Sequence, residues 1–142
     1  MRTGLAALAV LATACGREIN PAVLAVDVTG CQPARYGSVV GSSLRADAPV
    51  LAGGRRYRCL VFPGTAEHRV QLTVFADGFD PVVYLLEPGE SPHRLLARSA
   101  TSTASGVART SIVLPRTRPY AAVVTAAGRE GGTFLLSVQD QP

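Results

Sequence analysis

The segment Arg69-Val70-Gln71-Leu72-Thr73-Val74-Phe75 alternates without a break: Val70, Leu72 and Val74 point one way, and Arg69, Gln71 and Thr73 the other. Successive side chains of an extended chain project to opposite faces, so this is a strand with one buried and one wet face. Asp77-Gly78 and Asp80-Pro81 follow as turn signals, since Asp can bond nearby backbone N–H groups and Pro presets φ. The next run, Val82-Val83-Tyr84-Leu85-Leu86, is apolar at every position and is stopped by Glu87-Pro88-Gly89. It is too short and too β-branched for a helix, and being apolar on both faces it belongs in the interior of a sheet.

The rest of the chain repeats this rhythm. Strands are expected over residues 22–28, 36–44, 55–62, 95–98, 109–114, 120–125 and 133–138, the third ended by Pro63-Gly64 and the last with Phe134, Leu136 and Val138 on one face. Gln32-Pro33-Ala34-Arg35 reads as a loop, Gly53-Gly54 as a turn and residues 99–106 as a small, polar, flexible loop. No helical period occurs outside the amino terminus. Eight or nine strands with a turn every 8–12 residues or so make an all-β sandwich or barrel. The 142 residues, with 14 Gly and 10 Pro, form one domain large enough to bury a core. All 14 basic residues are Arg, but charged residues total only 17% and the net charge is +4. That balance argues against nucleic acid as a partner.

The amino terminus has the layout of an export signal: Arg2, the apolar run Leu5-Ala6-Ala7-Leu8-Ala9-Val10-Leu11-Ala12, then Thr13-Ala14-Cys15. The run is too short to span a bilayer, which takes about 20 residues. Leu11-Ala12-Thr13-Ala14-Cys15 resembles a bacterial lipobox, although Ala12 stands where Leu is usual. That resemblance implies cleavage before Cys15 and a lipid on its thiol, and Gly16 after it implies an outer-membrane destination in a cell with two membranes. Ala12-Thr13-Ala14 is also an A-x-A site, whose cleavage would leave Cys15 free. The domain reading is a signal over residues 1–14, a lipid-anchored tether over 15–21 and a folded domain over 22–142. In an oxidising compartment the remaining Cys31 and Cys59 favour a disulfide over two buried thiols. Closing that loop of about 28 residues stabilises by roughly 3–4 kcal/mol in the chain-entropy model.

Residues able to carry chemistry are sparse. His68 and His93 lie beside turn signals, outside any Gly-x-Ser-x-Gly or His-Glu-x-x-His motif. A spatial triad built on one of them would make the chain a small hydrolase. Glu87 and Glu90 flank Pro88-Gly89 and read as an exposed turn rather than an acid–base pair. Arg55, Arg56 and Arg58 are the densest charge cluster, with Arg56 and Arg58 on one strand face and Tyr57 and Cys59 on the other. They suit an acidic partner such as lipid headgroups or polysaccharide, or serve as a charged edge that blocks strand pairing. With no Cys-x-x-Cys and no His cluster, neither a metal nor a cofactor is expected.

The order of these segments resembles the bacterial pre-peptidase C-terminal domain, the β-sandwich also known from collagen-binding modules. The matching residues are Ser43-Leu44 with Asp47, Gly54-Arg55-Arg56-Tyr57 with Phe62, Phe79-Asp80-Pro81-Val82-Val83-Tyr84-Leu85, Glu87-Pro88-Gly89, Thr110-Ser111-Ile112-Val113-Leu114-Pro115, Tyr120-Ala121-Ala122-Val123-Val124-Thr125 and Gly132-Thr133-Phe134-Leu135-Leu136-Ser137-Val138. The resemblance implies an antiparallel, jelly-roll-like β-sandwich and an accessory role beside secreted peptidases. Calcium-binding members carry acidic residues where this chain has Arg58 and Ala97-Arg98-Ser99-Ala100-Thr101, so calcium is not expected here. The resulting expectation is a non-catalytic envelope lipoprotein, held to the membrane by a lipid anchor. It would act as a binding or structural module toward an envelope protein, peptidase or polysaccharide. The alternatives are a periplasmic chaperone or inhibitor of a secreted peptidase, and the small hydrolase.

Overall fold

The computed structural model describes residues 21–89, 92–100 and 106–141. The expected signal at residues 1–14, Cys15, the tether up to residue 20 and Glu90 lie outside the described residues. Nine strands are present among the described residues: β1 (Gln32–Pro33), β2 (Ser38–Ser43), β3 (Tyr57–Gly64), β4 (Arg69–Asp77), β5 (Pro81–Glu87), β6 (Arg94–Arg98), β7 (Val107–Val113), β8 (Arg118–Ala126) and β9 (Thr133–Gln141). They form a five-stranded sheet, β1-β3-β8-β5-β6, packed on a four-stranded sheet, β2-β9-β4-β7.

The wiring is that of one long hairpin rolled around the core. β2 pairs with β9, β3 with β8, β4 with β7 and β5 with β6, all antiparallel. Successive rungs of this hairpin fall in opposite sheets until the β5–β6 tip, and the pairings β4–β9 and β5–β8 join rungs within each sheet. This is the jelly-roll arrangement. One pairing departs from the expected antiparallel order: β1 runs parallel to β3. Residues 32–33, expected as loop, enter along the sheet edge in the direction of β3, and the Cys31–Cys59 disulfide fastens them there.

The core between the sheets follows the alternation. Val70, Leu72, Val74, Leu136 and Val138 from one sheet meet Leu60, Phe62, Val83, Leu85 and Tyr120 from the other. The Tyr120 hydroxyl donates to the Arg116 carbonyl at 2.6 Å and accepts from the Arg116 N–H at 3.1 Å, closing the β7–β8 corner as tyrosine corners do in other sandwiches. Gly64 lies against that ring; a Cβ there would come within 2.4 Å of it. β3 therefore runs through Pro63-Gly64 instead of ending before them. Pro63 stands opposite Pro119, so two residues without an N–H face each other and the ladder loses little.

A second apolar cluster lies on the outer side of the five-stranded sheet. Tyr84 and Leu86 of β5, Ala121 and Val123 of β8, and Cys59 of β3 pack beneath Val23, Val26 and Leu51. The expected strand over residues 22–28 is instead two 3-10 turns, Pro21–Ala25 and Val28–Gly30. A 3-10 turn repeats every three residues, which places Val23 and Val26 on one side, both buried. The covering explains why β5 and β8 tolerate apolar residues on both faces. Ser99, assigned to a flexible loop from sequence, is buried and exchanges hydrogen bonds with the Val83 backbone: its N–H donates to Val83 O at 2.9 Å and its Oγ accepts from Val83 N at 3.0 Å.

Candidate functional sites

Arg56 and Arg58 lie beside the loop that follows β2. Arg56 Nη1 donates to the carbonyls of Ala46 and Ala48, both at 3.1 Å. Arg58 Nε donates to Ser43 O at 2.8 Å, and its Nη2 is 3.3 Å from Asp47 Oδ1. Arg55 is exposed beside them. Two of the three guanidinium groups thus hold the loop to β3. They do not fit a calcium ion, which would meet a guanidinium already paired with the nearest carboxylate. Arg58 also borders a cavity of about 230 Å³ lined by Asp27, Gln32, Ser42, Tyr57 and Cys59. Asp27 caps the second 3-10 turn, accepting from the Thr29 hydroxyl at 2.7 Å and the Thr29 N–H at 3.0 Å. The hydroxyl and then the N–H hold its carboxyl below the ordinary 3.8.

The histidines are far apart in role. His68 Nδ1 lies 2.9 Å from Asp140 Oδ2, joining the start of β4 to the end of β9. This is the base–carboxylate half of a triad, but among the described residues no hydroxyl or thiol is bonded to the other ring nitrogen. Tyr36 is close to this pair. Burial pushes its hydroxyl up, a bond from the Thr65 N–H opposes that, and the Asp140 charge adds to the rise. His93 is a clamp. Its Nε2 lies 2.7 Å from Val26 O and must donate to that carbonyl, while Nδ1 accepts from Gly89 N–H at 3.3 Å. Those two bonds select the Nε2–H tautomer. His93 N–H also donates to Leu24 O at 2.7 Å, so the N-terminal cover is tied to the β5–β6 connection.

Sequence reasoning placed Glu87 in an exposed turn, and the structure corrects this. Its side chain is 4% exposed and ringed by three arginines. Arg94 Nη1 is 3.6 Å from Oε1; Arg116 Nε and Arg118 Nη1 are 3.6 and 3.7 Å from Oε2. Glu87 closes β5, Arg94 opens β6 directly opposite it, and Arg116 and Arg118 enter from the β7–β8 corner. The hairpin pairing of residues 87 and 94 was within reach of the sequence; the approach of residues 116 and 118 depends on β8 lying beside β5.

The outer face of the four-stranded sheet is uncovered among the described residues. Register aligns Gly41, Leu135, Phe75 and Val107 in one row across all four strands. Phe75 is 48% and Leu135 50% exposed, and Val39 and Val113 are exposed nearby. Thr73, expected to be wet, is buried because Arg109 of β7 lies across it, its Nε 3.4 Å from Thr73 Oγ1.

No family model matches this sequence, and no curated protein matches it either. Solved structures do resemble its fold. The pre-peptidase C-terminal domain of a Bacillus anthracis collagenase is 14% identical with a TM-score of 0.58, over 77% of this chain and 94% of that one. The surface-associated copper-binding protein CorA of Methylomicrobium album BG8 is 7% identical with a TM-score of 0.55, over 77% and 98%. PliG of Salmonella Typhimurium, a periplasmic inhibitor of g-type lysozyme, is 15% identical with a TM-score of 0.50, over 78% and 99%. The nine-stranded roll, with its β5 entered through Phe79-Asp80-Pro81, is a β-sandwich with the fold of the bacterial pre-peptidase C-terminal domain.

Proposed function

We propose that this chain is a non-catalytic binding module of the bacterial cell envelope, exported and anchored through a lipid on Cys15, that docks a protein partner on the outer face of the four-stranded sheet. The observation that carries it is the pair Leu135 and Phe75 at the centre of that row, each about half-exposed among the described residues, whereas the outer side of the opposite sheet is covered by the chain's own residues. The row spans three strand spacings, or roughly 14 Å. It lies on the open outer face of a sheet, whereas small ligands are held in concave sites. Phe75 is its sole aromatic, where a sugar would call for stacking platforms. Arg69 and Arg109 on the same face suit a partner with an acidic rim around an apolar centre.

A photo-crosslinker at Leu135 should trap a protein in whole envelopes, and that protein, once purified, should bind the chain but not its Phe75→Asp variant. Equal binding by the variant would overturn the docking face. Cys15→Ala should abolish lipid labelling and release the chain from membranes; unchanged retention would overturn the anchor. The fold shared with PliG favours one specific form of this reading, an inhibitor of an exported hydrolase. Loss of that enzyme's activity on adding the chain would identify it.

A further inference from the structure

We propose that the arginine cluster around Glu87 is a binding site for a phosphate-class oxyanion. Among the described residues, three guanidinium groups meet one carboxylate, an excess of two positive charges at the end of the five-stranded sheet. An ion network built for stability alone would be near neutral and drawn to hydrogen-bond distance. Here all three approaches, at 3.6 to 3.7 Å, lie beyond it. Glu87 Oε2 and Arg118 Nε are buried without a hydrogen-bond partner. Arg118 Nη2 is fixed by the Pro88 carbonyl, whereas the side chains of Arg94 and Arg116, 64% and 59% exposed, make no hydrogen bond among the described residues.

The carboxylate therefore acts as an anchor. It sits at the buried base and gathers three cations that would otherwise repel one another, with the Arg94 and Arg116 side chains open to solvent. Each guanidinium offers five donors in a fixed fork that matches an oxyanion. Three forks converging from β6, β8 and the β7–β8 corner suit a tetrahedral group better than a carboxylate, which has only two oxygens to share. A dianion would neutralise the excess charge.

The position also indicates a source. His93, next to Arg94, bonds the Leu24 and Val26 carbonyls. Leu24 is three residues from Pro21, about 6 Å along a 3-10 turn, where the chain departs toward Cys15. If the anchor proposed above holds, lipid phosphates are a source of that anion close to the cluster. The site itself does not depend on that reading.

The test uses the full chain carrying Cys15→Ser, which removes the acylation thiol and separates the site from the anchor. Inorganic phosphate should raise the melting temperature above its value in chloride of equal ionic strength. Arg94→Gln with Arg116→Gln should weaken phosphate binding at least about tenfold. Arg35→Gln with Arg129→Gln, the same charge removed from exposed positions elsewhere, should leave it unchanged. No effect of phosphate on the unsubstituted chain, or equal losses in both double variants, would overturn the site. Vesicles of phosphatidylglycerol and of phosphatidylcholine distinguish the sources. Retention on the anionic vesicles alone, lost with Arg94→Gln and Arg116→Gln, assigns the lipid headgroup. Binding of inorganic phosphate without vesicle retention assigns a free anion.

Discussion

The two outer faces of the sandwich are built from similar strands and meet opposite fates. On the five-stranded sheet the outward residues are Tyr84, Leu86, Ala121 and Val123, and residues of the N-terminal segment bury them. On the four-stranded sheet the outward residues of β4 and β9 include Arg69, Gln71, Ser137 and Gln139, and the apolar Phe75 and Leu135 are left half-exposed. The first face is a core that needs a cover to exist. The second is stable in water and holds a limited apolar strip. A covered face should be sensitive to substitution in the folded protein, and a bare one insensitive until a partner is present.

The largest effect should come from loosening the cover at its covalent attachment. Cys31→Ser with Cys59→Ser should cost about 3–4 kcal/mol in denaturant unfolding, as expected for a loop of this length. It should also open the segment around residues 21–31 to proteolysis. An unchanged midpoint would mean that packing alone holds the cover. Val23→Ala, which empties a fully buried site in the same segment, should cost about 2 kcal/mol in the same assay. On the bare face, Phe75→Asp should change stability by less than about 0.5 kcal/mol. A loss as large as that of Val23→Ala would erase the distinction between the faces. The smallest effect concerns pH. The folded-state pKa of Asp27 is depressed by its bonds to Thr29. The stability it contributes is therefore full above its unfolded value near 3.8 and is lost as pH falls through the lowered folded value. Asp27→Asn should flatten that part of the acid-unfolding curve, and an unaltered curve would remove the cap from the account of the cover.

Much of this contrast was legible in the sequence. The alternation in residues 69–75 marked a strand with one wet face, and its absence in residues 82–86 marked a strand covered on both. What supplied the cover was not legible. Residues 22–28 are apolar almost throughout, and such a run serves as readily for a buried strand as for a 3-10 turn; the sheet beneath it selected the turn through Val23 and Val26. The pairing of Cys31 with Cys59 followed from compartment and count. The Glu87 cluster was missed because its members are separated by up to 31 positions and meet only through strand order. The weight placed on Arg55, Arg56 and Arg58 followed from their closeness in sequence, while the geometry turns two of them toward backbone carbonyls.

The rolled hairpin also constrains the order of events at birth. β2 has no neighbour in its sheet except β9, and β9 is also the strand that joins β2 to β4. One sheet is therefore incomplete until residues 133–141 have arrived, almost a hundred positions after β2. Contacts so distant along the chain make folding slow, and here they postpone completion of that sheet until residues 133–141 have been synthesised. Export as proposed above would gain from that delay, because a chain that closes its sheet late stays extended long enough to be threaded across a membrane.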